Sequence, residues 1–260
     1  MKTRLSALVL LLVSIMALLL SGCASAPPLR VGIATQYPPI TFMTNGVLDG
    51  VEPALAKEVA TRTSRTMQFE ILPFDLLIPA LLEGKIDLIM SGMSDTPERR
   101  KLVSFADSYL HIGQMLLVRE QDIRRFPTAL YDKSAGVRIG VKRGTTGEAF
   151  VLKTFAWGSI THFASTEEGV TALEQRTIDC FVHDAPTIWR FSANTATQRQ
   201  GLIGLYEPLT DEPLAWAVRK ADTDLLVRLN AALAEMRKDG TLHKILVKWV
   251  PTQILVGNRK

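Results

Sequence analysis

The chain alternates short apolar runs with amphipathic stretches of helical period, and this alternation restricts the fold more than any other feature. Parallel strands need a long crossover between them, most readily a helix. The runs at 29–35, 86–90, 114–118, 137–141, 159–163 and 178–182 read as strands. Between them, Val51, Leu55 and Val59 share one helical face, and Pro53 suits a first helical position. A second helix is expected over 75–82, closed by Gly84. Gly144-Thr145-Thr146-Gly147 leads into a third through Phe150 and Leu152, and Thr166 caps a fourth with Val170 and Leu173 on its apolar face. Leu225, Leu229, Ala232, Leu233 and Met236 mark a helix stopped at Gly240. Thr241 caps a last one carrying Leu242, Ile245, Leu246 and Trp249 before Pro251. This order predicts an α/β fold with parallel-type sheets covered by helices. Ligands of such sheets bind beyond the C-terminal ends of the strands, which points to four loops: 35–42, 91–99, 144–147 and 183–186.

The N-terminus follows a different rule. Lys2 and Arg4 precede an apolar run over 7–20 broken only by Ser14, shorter than the roughly 20 residues a membrane-spanning helix needs. It reads as the core of a secretory signal over 1–22. Leu20-Ser21-Gly22-Cys23 has the form of a lipobox, so Cys23 is expected to be acylated and to become the first mature residue, with 23–28 as a tether. The alternative is an ordinary signal cleaved near Ala24 or Ala26. With Cys23 on lipid, Cys180 has no partner for a disulfide, and its apolar neighbours favour a buried, inert thiol. The formal charge of +4 falls to +2 without the leader, 28 basic against 26 acidic residues. So small an excess gives no reason to expect nucleic-acid binding. With 47% hydrophobic and 22% charged residues, the 260-residue chain suits one large domain or two lobes, each with its own core.

Catalytic and metal motifs are sparse. Gly92-Met93-Ser94-Asp95-Thr96 lacks the final Gly of a nucleophile elbow, and there is no Walker loop or dinucleotide glycine pattern. The four His, at 111, 162, 183 and 243, form no pair at ligand spacing. No catalytic residue, metal or cofactor is therefore assigned.

Several stretches in register resemble the family 3 periplasmic solute-binding proteins of amino-acid ABC importers. They are Leu29-Arg30-Val31-Gly32 with Tyr37-Pro38-Pro39, then Phe74 through Leu81, and Ser91-Gly92-Met93-Ser94 through Thr96-Pro97-Glu98-Arg99. Phe105-Ala106-Asp107-Ser108-Tyr109, the Gly144–Gly147 stretch, Asp184, Ala217-Val218-Arg219-Lys220 and Asp239-Gly240-Thr241 follow in order. The resemblance implies the type II periplasmic-binding-protein fold, two α/β lobes joined by two crossing strands. Lobe 1 is then 29–109 with 214–260, lobe 2 is 110–213, and ligand lies in the cleft between them. It also implies ligand contacts from Tyr37, Phe74, Gly92, Ser94, Arg99, Lys142, Thr146, His183 and Asp184. A guanidinium grips a carboxylate bidentately in a way that a lysine does not, so Arg99 is expected to hold the ligand carboxylate, helped by donors on Gly92, Ser94 and Thr146. Asp184 is expected to take the ammonium and also to cap the next helix, while Tyr37 and Phe74 wall the pocket.

Two departures bear on specificity. Ala34 stands where many relatives place an acid that reads the ligand, which disfavours a cationic side chain. Gly50-Val51-Glu52-Pro53 replaces the usual Gly-Phe-Asp and is expected to alter the helix start rather than the pocket. Lys142 and His183 sit as they do in glutamine binders of the family. A neutral or acidic polar amino acid is the expected ligand, with an ABC permease as partner, a lipid anchor on the extracytoplasmic face, and a monomeric protein. Ala24 after Cys23 suggests outer-membrane sorting in a two-membrane bacterium. A sensing lipoprotein without transport is the rival. An enzyme of the cyclohexadienyl dehydratase branch is disfavoured, because that branch carries a Glu shortly after the Asp and here Ala185-Pro186-Thr187 follow Asp184.

Overall fold

A computed structural model describes residues 27–255; the leader and the lipobox with Cys23 lie outside the described residues. Two five-stranded sheets organise the chain. The first runs Met67–Ile71, Leu29–Ile33, Leu88–Ile89, Ala217–Val218, Ser104–Phe105. The second runs Ser159–Phe163, Arg138–Lys142, Cys180–Asp184, Gln114–Arg119, Leu202–Leu205. In each, the first three strands are parallel and the fourth is antiparallel to its neighbours. The sheets are therefore mixed rather than parallel throughout. The fourth strand of each is the one that enters from the connection between the halves, so it runs against the crossover strands.

Those connections are two crossing strands, Leu110–Ile112 and Glu212–Leu214, paired antiparallel with Glu212 opposite Ile112. Helices cover the sheets. Val51–Thr63 buries Val51, Leu55 and Val59 completely and packs against Thr223–Lys238, which buries Leu229, Leu233 and Met236. Each such side chain contributes about 1.5–3 kcal/mol relative to exposure. The result is a type II two-lobed α/β fold.

Local differences have simple causes. The helix at 51 starts two residues before Pro53, which occupies its third position. The stretch expected as one helix over 75–82 splits into a 3₁₀ turn, Phe74–Leu76, and the helix Leu77–Leu82. Ser165 rather than Thr166 is the N-cap, its hydroxyl accepting from Glu168 N–H at 3.2 Å. Gly240, not Thr241, precedes the helix Thr241–Trp249, at a left-handed φ of 79°. A small sheet of Gln36–Tyr37, Thr41–Thr44 and Val47–Asp49 turns at Asn45-Gly46, both at positive φ, and takes up most of the first loop.

Candidate functional site

On one side of the cleft, Thr96 caps the short helix Pro97–Arg100, its hydroxyl accepting from Arg99 N–H at 3.2 Å. That turn aims the Arg99 side chain back over the loop. Its Nη1 donates to the Ser94 carbonyl at 2.8 Å, its Nη2 to the Gly144 carbonyl across the cleft at 3.5 Å, and its guanidinium lies 5.5 Å from the centre of the Phe74 ring. Burial lowers its pKa, opposed by the charges of Asp184 and Glu212.

On the other side, Thr145 caps the helix Thr146–Thr154, its hydroxyl accepting from Glu148 N–H, and the Glu148 carboxylate reaches back to accept from Gly144 N–H at 2.7 Å. Glu148 also meets His162 Nδ1 at 2.6 Å. The helix N-terminus thus presents the Thr145-Thr146 turn to the cleft, where its free N–H groups favour an anion. Asp184 ends the strand Cys180–Asp184 and stands at the N-cap position of Ala185–Ser192, yet its side chain makes no cap bond. Instead its carboxylate accepts from the Gln114 amide. Burial pushes the Asp184 carboxyl up, while Tyr37, Gln114, Arg99 and Lys142 hold it down. Asp184 N–H donates to His183 Nδ1 at 2.8 Å, which leaves the ring proton on Nε2. Burial, with Lys142 nearby, pushes that imidazole down to about 3, so it is neutral at physiological pH. Lys142 is partly buried, which lowers its pKa, and makes no ion pair among the described residues.

All nine residues singled out in the sequence line one cavity of about 790 Å³ between the two sheets: Tyr37, Phe74, Gly92, Ser94, Arg99, Lys142, Thr146, His183 and Asp184. Two of them differ from expectation in what they offer. Gly92 N–H is already committed to Glu52 Oε1 at 2.7 Å, and the Ser94 hydroxyl donates to Glu212 Oε2 at 2.8 Å. The backbone and hydroxyl protons expected to face a ligand are thus spent beneath the cavity. Tyr37 keeps a buried hydroxyl that faces the Asp184 carboxylate. Burial and the neighbouring Asp184 hold its phenol well above its ordinary value.

Three functional neighbours escaped the sequence reading. Glu52 is completely buried and accepts from Gly92 N–H, Tyr109 Oη at 2.8 Å and Trp216 Nε1 at 3.0 Å. The altered Gly50-Val51-Glu52-Pro53 stretch therefore does reach the pocket, by propping its floor. Gln114 and Glu212 sit at the crossing strands and hold Ser94, Thr146 and Asp184. The available signal was a single polar residue beside an apolar run, Gln114 before Met115–Val118.

Two α/β lobes flanking one cavity, with a guanidinium on one side and a carboxylate on the other, define a two-lobed solute-binding protein. Over residues 29–252 the chain matches the bacterial extracellular solute-binding proteins, family 3, and it belongs to that family. The ABC transporter arginine-binding protein 1 of Escherichia coli K12 is 28% identical over 249 residues, covering 93% of this chain and 98% of that protein. An ancestral arginine-binding protein bound to glutamine is 34% identical, with a TM-score of 0.75, covering 86% of this chain and 98% of that one. An ancestral amino-acid-binding protein described as a precursor of cyclohexadienyl dehydratase is 33% identical with a TM-score of 0.75, covering 86% and 96%.

Proposed function

We propose that the chain binds one free amino acid, neutral or acidic in its polar side chain, in the cleft and delivers it to an ABC importer. One observation carries this reading: Arg99 and Asp184, from opposite sides of the cleft, line the same cavity. A zwitterion offers a carboxylate and an ammonium at fixed separation, and this pair is complementary to both ends. Arg99 clamps the carboxylate, with Thr146 and its helix N-terminus adding donors, and Asp184 takes the ammonium. Tyr37 and Phe74 enclose the apolar part of the ligand. The side-chain end then faces Lys142, which makes no ion pair among the described residues, and the position of Ala34, where no acid stands. That end favours a carboxamide or carboxylate over a second cation. Glutamine-binding and arginine-binding proteins both occur among the relatives, so arginine is the competitor to test.

The reading places lobe 1 at 29–109 with 214–260 and lobe 2 at 110–213, tethered as a monomer to an extracytoplasmic membrane face through lipid on Cys23. It involves no catalytic step. Calorimetric titration of the mature protein against the twenty amino acids tests it. Tight binding of glutamine or glutamate is expected, with a loss of at least tenfold in Arg99→Lys and in Asp184→Asn. Tight binding of arginine alone overturns the specificity, and binding of no amino acid overturns the reading. Replacing Cys23 by Ser is expected to move the protein from the membrane to the soluble fraction.

A further inference from the structure

An unbroken chain of hydrogen bonds joins the two poles of the cleft by way of the crossing strands. Arg99 donates to the Ser94 carbonyl, and the Ser94 hydroxyl donates to Glu212 Oε2 at 2.8 Å. Glu212 Oε1 accepts from Gln114 Nε2 at 3.1 Å, and the same amide nitrogen faces the Asp184 carboxylate and lies 3.2 Å from the Thr146 hydroxyl. Nε2 has two protons for these three oxygens. Turning the amide over would set its carbonyl against two carboxylates, so its orientation is fixed by charge.

Its backbone is fixed as well. Gln114 N–H donates to the Thr210 hydroxyl at 2.9 Å, and its carbonyl accepts from Leu209 N–H at 2.8 Å. Packing completes the mount: Gly147 lies so close that a Cβ there would sit 2.5 Å from Gln114 Oε1. The second glycine of the Gly144–Gly147 loop is therefore the space that the amide occupies.

We propose that Gln114, anchored on Glu212, is a positioning residue of the amino-acid site that holds the Asp184 carboxylate aimed into the cleft by donating an N–H to it. The proposal rests on the amino-acid reading above. An N–H donated to a carboxylate favours its charged form, as Gln114 does for Asp184. Without the amide, burial acts with less opposition and Asp184 takes up its proton at higher pH. The other titratable groups facing Asp184 are Tyr37, Arg99, Lys142, His183 and, through the amide, Glu212. Tyr37, Arg99, Lys142 and His183 make no hydrogen bond to the Gln114 side chain and cancel in a comparison of two proteins, while Glu212 loses that donor but keeps those of Ser94 and Thr210.

The test is calorimetric titration of wild type and Gln114→Met from pH 8 to pH 4, with L-glutamine, L-glutamate and L-arginine as probes. The ratio of wild-type to variant affinity is expected to climb as pH falls, by about tenfold for each unit that the Asp184 midpoint moves. A ratio that is the same at every pH marks a merely structural loss and overturns the proposal. A wild type that binds none of the three probes overturns the amino-acid reading, and this proposal with it. If Gln114→Met does not fold by circular dichroism, Gly147→Ala displaces the amide instead and is expected to give the same climbing ratio; a flat ratio there overturns the proposal equally.

Discussion

Glu52 shows how one side chain can carry opposed demands. Three donors converge on it, from Gly92, Tyr109 and Trp216, an arrangement suited to an ionised carboxylate. Complete burial works against the charge and pushes the carboxyl up to about 7. A carboxyl raised above its unfolded value contributes stability that is fully present below about 4.5 and is lost as pH rises through about 7. His183 acts in the other direction. Its imidazole, pushed down to about 3, contributes stability present above about 6.5 and lost as pH falls. The two offset each other between pH 5 and 8, so the wild-type profile alone conceals both. Comparison with Glu52→Gln isolates the carboxyl, because His183 is common to both proteins. Urea unfolding at pH 5 and pH 8 is expected to show the variant gaining about 2 kcal/mol on wild type over that interval. Parallel stability profiles for the two proteins would remove the titration of Glu52 from the account.

At the scale of elements, the start of the helix Val51–Thr63 depends on one backbone conformation. Gly50 precedes it at φ 117°, and a Cβ there would lie 2.7 Å from the carbonyl oxygens of both Pro39 and Ile40. Backbone atoms cannot step aside as a side-chain tip can, and Val51 and Glu52 N–H groups already donate to those two carbonyls. Gly50→Ala is expected to cost about 2–4 kcal/mol. Gly46→Ala, also at positive φ but with open space around it, is expected to cost about 1 kcal/mol. Equal losses in chemical denaturation would contradict the steric account. The elements also show what a sequence discloses. Apolar runs located the strands at 138–142 and 180–184 within two residues, because burial on both faces imposes that pattern, and the edge strand at 159–163 was found although it is only partly buried. The same runs carry no direction, so the antiparallel Gln114–Arg119 and Ala217–Val218 could not be told from parallel strands. The Asn45-Gly46 dipeptide is itself a hairpin signal in the sequence. At the site, seven of the nine residues lie in the four loops that follow strands, while Phe74 and Lys142 lie outside them, and the choice of all nine came from the family resemblance. Glu52, Gln114 and Glu212 were not legible in this way, since each acts from beneath the cavity and a lone Glu in a first helical turn reads as an exposed acid.

Across the whole molecule, the two sheets carry the same internal lock. In the first, Arg30 binds Asp87 through its backbone N–H and its guanidinium, and Arg219 adds a second guanidinium at 3.1 Å. In the second, Arg138 binds Asp179 in the same way, with Arg119 at 3.4 Å. In each case the Asp immediately precedes the central strand and fastens it to its parallel neighbour. The halves differ in how the chain supplies these parts. Every strand of the second sheet, and both of its lock arginines, lie between residues 114 and 205. The first sheet draws its fourth strand, Ala217–Val218, from beyond the second crossing. Arg219 for Asp87, Trp216 for Glu52 and the helix Thr223–Lys238 for the apolar face of Val51–Thr63 come from that same later segment. Residues 110–213 expressed alone are therefore expected to fold, with a cooperative thermal transition by circular dichroism. Residues 29–109 alone would leave Val51, Leu55 and Val59 without their helical partner and Glu52 short of a donor, and they are expected to show no cooperative transition. A cooperative melt of 29–109 would mean that the later segment only covers a core already complete without it.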